Sequence, residues 1–171
     1  MLFPQTAPGF DHPLGMLQAC HARILRQCDT LVRVAQHLRA VGVTDEARDA
    51  AHRAHRYFST SGKHHHEDEE QDLFPALLTV RPELAGTILE LRNEHREMEH
   101  LWIRIEPSLA NIGSVTDFAA FAHDIAEFRA AYISHIEREN AKILPAAEVA
   151  LSAGQISELG KRMAYRRGVS P

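Results

Sequence analysis

Apolar residues step along this chain by three and four positions for most of its length, and no stretch sustains the alternation of a strand. The first seam runs Leu14, Leu17, His21, Ile24, Cys28, Leu31, Ala35, Leu38, heptad spacing with one histidine inside it. Asp11 as N-cap and Pro13 in the first turn start this helix, and Gly42 ends it. Thr44 caps a second helix through Ala47, Ala51, Ala54 and Phe58. A kink is expected at Ser59-Thr60-Ser61-Gly62, and an end or bend at Pro75. Past a turn at Arg81-Pro82, the third seam reads Leu84, Ile88, Leu91, His95, Met98, Trp102, Ile105, and Pro107 up to Gly113 breaks it. Ser114 with Asp117 opens the fourth helix, whose seam is Phe118, Phe121, Ile125, Phe128, Tyr132, His135, Glu139 before Pro145. Ser152 with Gln155 forms a capping box for a short fifth helix, closed by Arg166-Arg167-Gly168. Its Lys161, Arg162, Arg166 and Arg167 read as a solvated face.

The predicted class is all-α: an up-down-up-down four-helix bundle over about residues 11–150, with a C-terminal helix over about 153–167. A chain of 171 residues makes one domain, 1–171, with room for a sizeable core. A hydrophobic content of 44% and a charged content of 25% are ordinary, and a net charge of -4 argues against nucleic acid as a partner. No apolar run is long enough to cross a bilayer. The opening Met1-Leu2-Phe3-Pro4-Gln5 lacks a positively charged start, so no secretory signal is expected. Cys20 and Cys28 on one helix would lie roughly 12 Å apart, too far for a disulfide. Reduced thiols, read as small buried hydrophobes, suit a cytoplasmic protein.

One feature of the composition is unusual: 12 histidines, three of them at core positions of the seams. The run His64-His65-His66 would by itself read as a solvated tract. On a helix, however, His65 and Glu69 share a face, four residues apart and a turn above Leu73. Residues 135–147 repeat residues 65–77 at an offset of 70, sharing His, Glu, Glu, Pro and Ala. Five identities in thirteen exceed the roughly one that composition gives. His135 and Glu139 therefore reproduce the His-x-x-x-Glu pair of His65 and Glu69.

In an up-down bundle, residues equidistant from a turn lie at one height. His21 and His65 are centred beside Gly42, His65 to Glu69 and His95 near Arg81-Pro82, and His95 and His135 just past Gly113. Three turns thus predict one layer of His21, His65, Glu69, His95, His135 and Glu139. Two buried carboxylates without a cation cost several kcal/mol each or take up protons. A pair of metal ions bridged by the glutamates removes that cost. Imidazole and carboxylate donors without thiolate favour iron or manganese over structural zinc.

These residues resemble the hemerythrin family, and more closely its bacterial members named for a His-His-Glu motif. The resemblance rests on Asp11-His12-Pro13-Leu14 leading to His21, on His65-His66 with Glu69-Glu70 before Leu73-Phe74-Pro75, on Glu94-His95, and on His135 with Glu139 before Pro145. It covers about Asp11 to Ala150. It implies a four-helix bundle holding two iron ions, oxo- or hydroxo-bridged and carboxylate-bridged, with manganese the second choice. It also implies a small diatomic or peroxide ligand. Terminal ligands would be His21, His65, His95 and His135, with Glu69 and Glu139 bridging. Oxygen-carrying members add a histidine four residues from the first on the third helix, where this chain has Leu91 and Glu99. Open positions would remain, with Glu99 and Tyr132 as possible additional ligands, although Tyr132 as a seam aromatic reads first as core packing. His66 and Glu70 could replace His65 and Glu69 only if the helix turned by about 100°. The expected function is dioxygen binding or sensing. The alternatives are peroxide or nitric oxide turnover, or iron storage. Oligomeric state is not legible.

Overall fold

Each seam becomes one rod of a computed structural model that describes residues 8–169; the opening residues read for a leader lie outside that range. The first rod is α1 (Pro13–Ala40). The second is built of α2 (Asp45–Tyr57), α3 (Lys63–Asp68) and α4 (Phe74–Val80), joined by wide π turns at Phe58–Gly62 and Glu69–Leu73. A 3₁₀ turn at Pro82–Leu84 leads into the third rod, α5 (Ala85–Ala110). The fourth is α6 (Phe118–Arg138), a π turn at Glu139–Ile143, and α7 (Leu144–Ala150). The short α8 (Ala153–Arg166) follows, and no strand occurs among the described residues. The protein is a helical bundle.

The ends follow local chemistry. Gly42 takes φ +90° just past α1, a conformation that glycine adopts without strain. Thr44 accepts a hydrogen bond from the Ala47 N–H, and Asp117 accepts from Ala119 and Ala120. Ser152 and Gln155 form the capping box expected of them. Three expectations need correction. α1 starts after His12, with no side chain capping it, so Asp11 is not the cap. Ser114 lies in a 3₁₀ turn, and Asp117 alone opens α6. Pro107 does not break the third rod, which continues to Ala110. It sits on the exposed side of the last turn, beside exposed Ile103, where water can take the bond that proline forgoes. At Pro75 and Pro145 the chain also stays helical, because a π turn ends shortly before each proline. A further π turn lies at Phe58–Gly62, where the kink was expected.

α1 packs against α2 and α6, and α5 packs against the same two, so the rods close into a ring. The His21 and His65 rings meet at 4.9 Å across the Gly42 turn, and His95 meets His135 at 4.6 Å across the next link but one. Residues equidistant from a turn meet only if neighbouring rods run antiparallel. Two apolar clusters fill the interior: one around Ile24, Leu31, Met98, Ile105 and Phe128, the other around Leu17, Phe74, Leu77, Leu91 and Ile143. The His/Glu layer lies between them.

α8 is not the solvated face expected of its cations. Arg166 and Arg167 turn inward onto Asp68, which is 0% exposed, and Arg166 and Arg162 also hold Asp72. Lys161 and Arg162 stay exposed as expected, Arg162 while pairing with Asp72 and Lys161 without a partner among the described residues. Gly160 lets α8 come down onto the segment before α1, since a Cβ there would lie 1.9 Å from the Phe10 carbonyl oxygen.

Candidate metal centre

Four rods each contribute to one buried layer. His21 comes from α1, His65 from α3, Glu69 from the following π turn, His95 from α5, His135 from α6, and Glu139 from the π turn after α6. None of the six is more than 4% exposed. Their donor atoms form two groups, His21, His65, Glu69, Glu139 and Glu69, His95, His135, Glu139, the atoms within each lying inside 4.8 Å of one another. Both carboxylates belong to both groups. Glu69 Oε1 lies 3.2 Å from His65 Nε2 and 3.7 Å from His21 Nε2, while its Oε2 lies 3.4 Å from His95 Nε2. Glu139 Oε2 lies 3.1 Å from His21 Nε2 and 3.3 Å from His135 Nε2.

Three of the imidazoles are oriented from behind. His21 Nδ1 donates to Asn140 Oδ1 at 2.9 Å, His95 Nδ1 to Glu70 Oε1 at 2.8 Å, and His135 Nδ1 to Glu94 Oε2 at 2.9 Å. With the proton on Nδ1, each Nε2 aims a lone pair into the layer. His95 Nε2 and His135 Nε2 then stand 3.0 Å apart, close enough to share one positive charge, a metal ion or a proton. Other atoms of the layer lack partners as well: His21 Nε2, both nitrogens of His65, Glu69 Oε2 and both oxygens of Glu139 are buried without a hydrogen bond. Buried polar groups are seldom left so. The donor set is nitrogen and oxygen throughout, and it fits a hard or borderline metal ion.

Without a metal, protons supply the missing positive charge. Burial pulls the His21 imidazole down, but Glu139 and Glu69 outweigh it and push its pKa up to about 10. His95 rises to about 9, the pull of burial outweighed by Glu69 and Glu70. Burial works to raise Glu69, yet His65, His21 and His95 hold its carboxyl well below the ordinary value. Burial lowers His65, which favours its neutral form near neutral pH.

The two additional candidates fall elsewhere. Glu99 is exposed and outside both groups: the buried stripe of α5 runs Leu91, His95, Met98, and Met98 takes the inward place in the turn after His95. Tyr132 is buried but outside both groups, its hydroxyl 3.4 Å from His66 Nε2. His66 and Glu70 do not replace His65 and Glu69. His66 stacks on His95 with ring centres 4.0 Å apart, and Glu70 holds His95 from outside. Glu70, Glu94 and Asn140 were missed as supporting groups, although the repeat carried a signal. Glu70 and Asn140 occupy the same place in the two copies, one residue after each shared glutamate, and each holds the histidine of a neighbouring rod.

The family match agrees with this chemistry. The family model described as the hemerythrin HHE cation binding domain matches residues 12–147. A protein of Haemophilus influenzae, described only as uncharacterized, is 31% identical over 169 residues, covering 99% of this chain and 98% of its own length. The matched segment contains the first three rods, the fourth as far as Ala147, and every residue of the layer, and the chain belongs to the hemerythrin HHE cation-binding family.

Proposed function

We propose that the layer holds two iron ions and binds dioxygen or a related small ligand. In this reading His21 and His65 would hold one ion and His95 and His135 the other, with Glu69 and Glu139 available to both. The observation that carries it is the pair of four-donor groups sharing both carboxylates, with six of their buried polar atoms left without partners. A di-iron pair supplies electrons to a small oxidant or holds it reversibly. The chain's part is to fix the imidazoles, exclude bulk water and keep both carboxylates charged. Manganese fits the same donors and ranks second. No described helix is long and apolar enough to cross a membrane, and Cys20 and Cys28 are free thiols, which supports a cytoplasmic setting.

Elemental analysis of the purified protein, with visible spectra of the reduced form after exposure to air, tests the proposal. Two irons per chain and a lasting charge-transfer band are expected. His135→Ala should lose at least one of the two ions while remaining folded, and full metal content in that variant would remove His135 from the ligand set. Rapid bleaching with gas evolution on added peroxide would favour turnover instead of reversible binding.

A further inference from the structure

A cleft of about 710 Å³ opens between the second and third rods, and it reaches the layer on one side only. Of the six layer residues, His95 alone lines it. His66 and Tyr132 flank His95 at its inner end: the His66 ring lies over the His95 ring, and the Tyr132 hydroxyl is 3.4 Å from His66 Nε2. The sides are apolar, with Phe58, Met98 and Trp102, and the outer lining has no net positive charge. The mouth includes exposed Ser59 and Glu99. No cleft lining residue belongs to the His21 and His65 side of the layer.

We infer that this cleft delivers the exogenous ligand to the ion position held by His95 and His135, and that His66 and Tyr132 select a small uncharged hydrogen-bonding molecule of the hydrogen peroxide class. The inference rests on the metal reading above and narrows it. The two positions have like donor sets, two imidazoles and two shared carboxylates each. Access distinguishes them: the cleft reaches His95, while His21 and His65, 2% and 1% exposed, line neither it nor the groove between α1 and α6. The ligand class follows from the lining. Four glutamates, Glu67, Glu70, Glu99 and Glu106, outnumber Lys63 and Arg96, so an anion gains nothing by entering. A phenol and an imidazole at the inner end offer both a donor and an acceptor. An apolar diatomic uses neither, whereas hydrogen peroxide uses both. The long 3.4 Å contact between them leaves each free to turn toward a ligand.

The test plugs the mouth. Ser59→Trp and Glu99→Trp are compared with Ser134→Trp, an exposed position in the groove between α1 and α6. Manganese-loaded protein is read by water-proton relaxation, and iron-loaded protein by stopped-flow absorbance on mixing with hydrogen peroxide or nitric oxide. Both cleft plugs should lower the relaxation and slow both probes by at least about tenfold, with metal content unchanged and Ser134→Trp like the parent. Tyr132→Phe should weaken hydrogen peroxide binding by roughly fivefold to tenfold and leave nitric oxide binding unchanged. Unslowed probes in a fully loaded Ser59→Trp and Glu99→Trp pair would overturn the route. An equal loss for both probes in Tyr132→Phe would overturn the ligand class. A chain that takes up no metal overturns the metal reading, and this one with it.

Discussion

Three of the four layer histidines are marked by the partner of the second nitrogen, Asn140 for His21, Glu70 for His95 and Glu94 for His135. His21, His95 and His135 occupy ordinary core positions in the heptad pattern, and periodicity alone cannot tell them from leucine. The offset-70 repeat and the equal spacing about the turns drew them to one height, which is why all six layer residues were legible. The supporting acceptors were not read, because they sit one residue before or after a layer residue, where a polar side chain passes for surface. Glu94 makes the clearest test. It accepts from His135 Nδ1 and pairs with Arg138 at 3.1 Å. Glu94→Ala should weaken metal binding by about 10–100-fold with helix content unchanged, measured by competition with a chromogenic chelator. Glu94→Gln keeps a carbonyl acceptor and should fall between. Parent-like affinity in Glu94→Ala would mean that His135 is oriented by packing alone.

At the scale of elements, the prolines and the fifth helix departed most from expectation. A 3.6-residue period cannot register a turn that holds an extra residue, so the π turns at Glu69–Leu73 and Glu139–Ile143 left only Pro75 and Pro145 as visible signs. Both turns begin at a layer glutamate, so the widened backbone and the shared carboxylates occur together. The arginines of α8 read as solvated because a sequence does not show what an amphipathic helix lies against. Here it lies against Asp68 and Asp72. Asp68→Ala leaves Arg167 without its carboxylate and Arg166 with Asp72 and Glu67 only, and should destabilise the protein by about 3 kcal/mol in urea denaturation. An unchanged midpoint would show that the clamp contributes nothing. Gly160→Ala tests the docking of α8 by a separate route. Its Cβ would collide with backbone that cannot rotate away, costing about 1–3 kcal/mol and loosening α8 first, as hydrogen exchange would show.

For the whole molecule, the layer is a polar plane between two apolar clusters, and its charge balance links stability to pH and to metal. In the metal-free protein His21 and His95 have pKa values near 10 and 9, above the ordinary 6.5. Each binds its proton more tightly folded than unfolded, so their contribution is complete below about pH 6.5 and is lost as pH rises through 9 to 10. His65 and Glu69 run the other way. His65 is held neutral by burial, so its contribution fades as pH falls below about 6.5, and that of Glu69 fades below its ordinary value of 4.5. Metal-free protein should therefore be most stable near neutrality and weaken toward alkaline pH. A bound metal takes the place of those imidazole protons, so loading near pH 8 should release protons and abolish the alkaline decline. Free metal at a hundredfold excess over its dissociation constant adds about 2.7 kcal/mol. In a chain of this length that raises the melting temperature by roughly 5–10 °C. Thermal melts at about pH 7 and about pH 9.5, with and without metal, test both effects. Metal-free protein that melts higher at the alkaline pH would contradict the charge balance, because then neither His21 nor His95 could be holding a proton against the two glutamates.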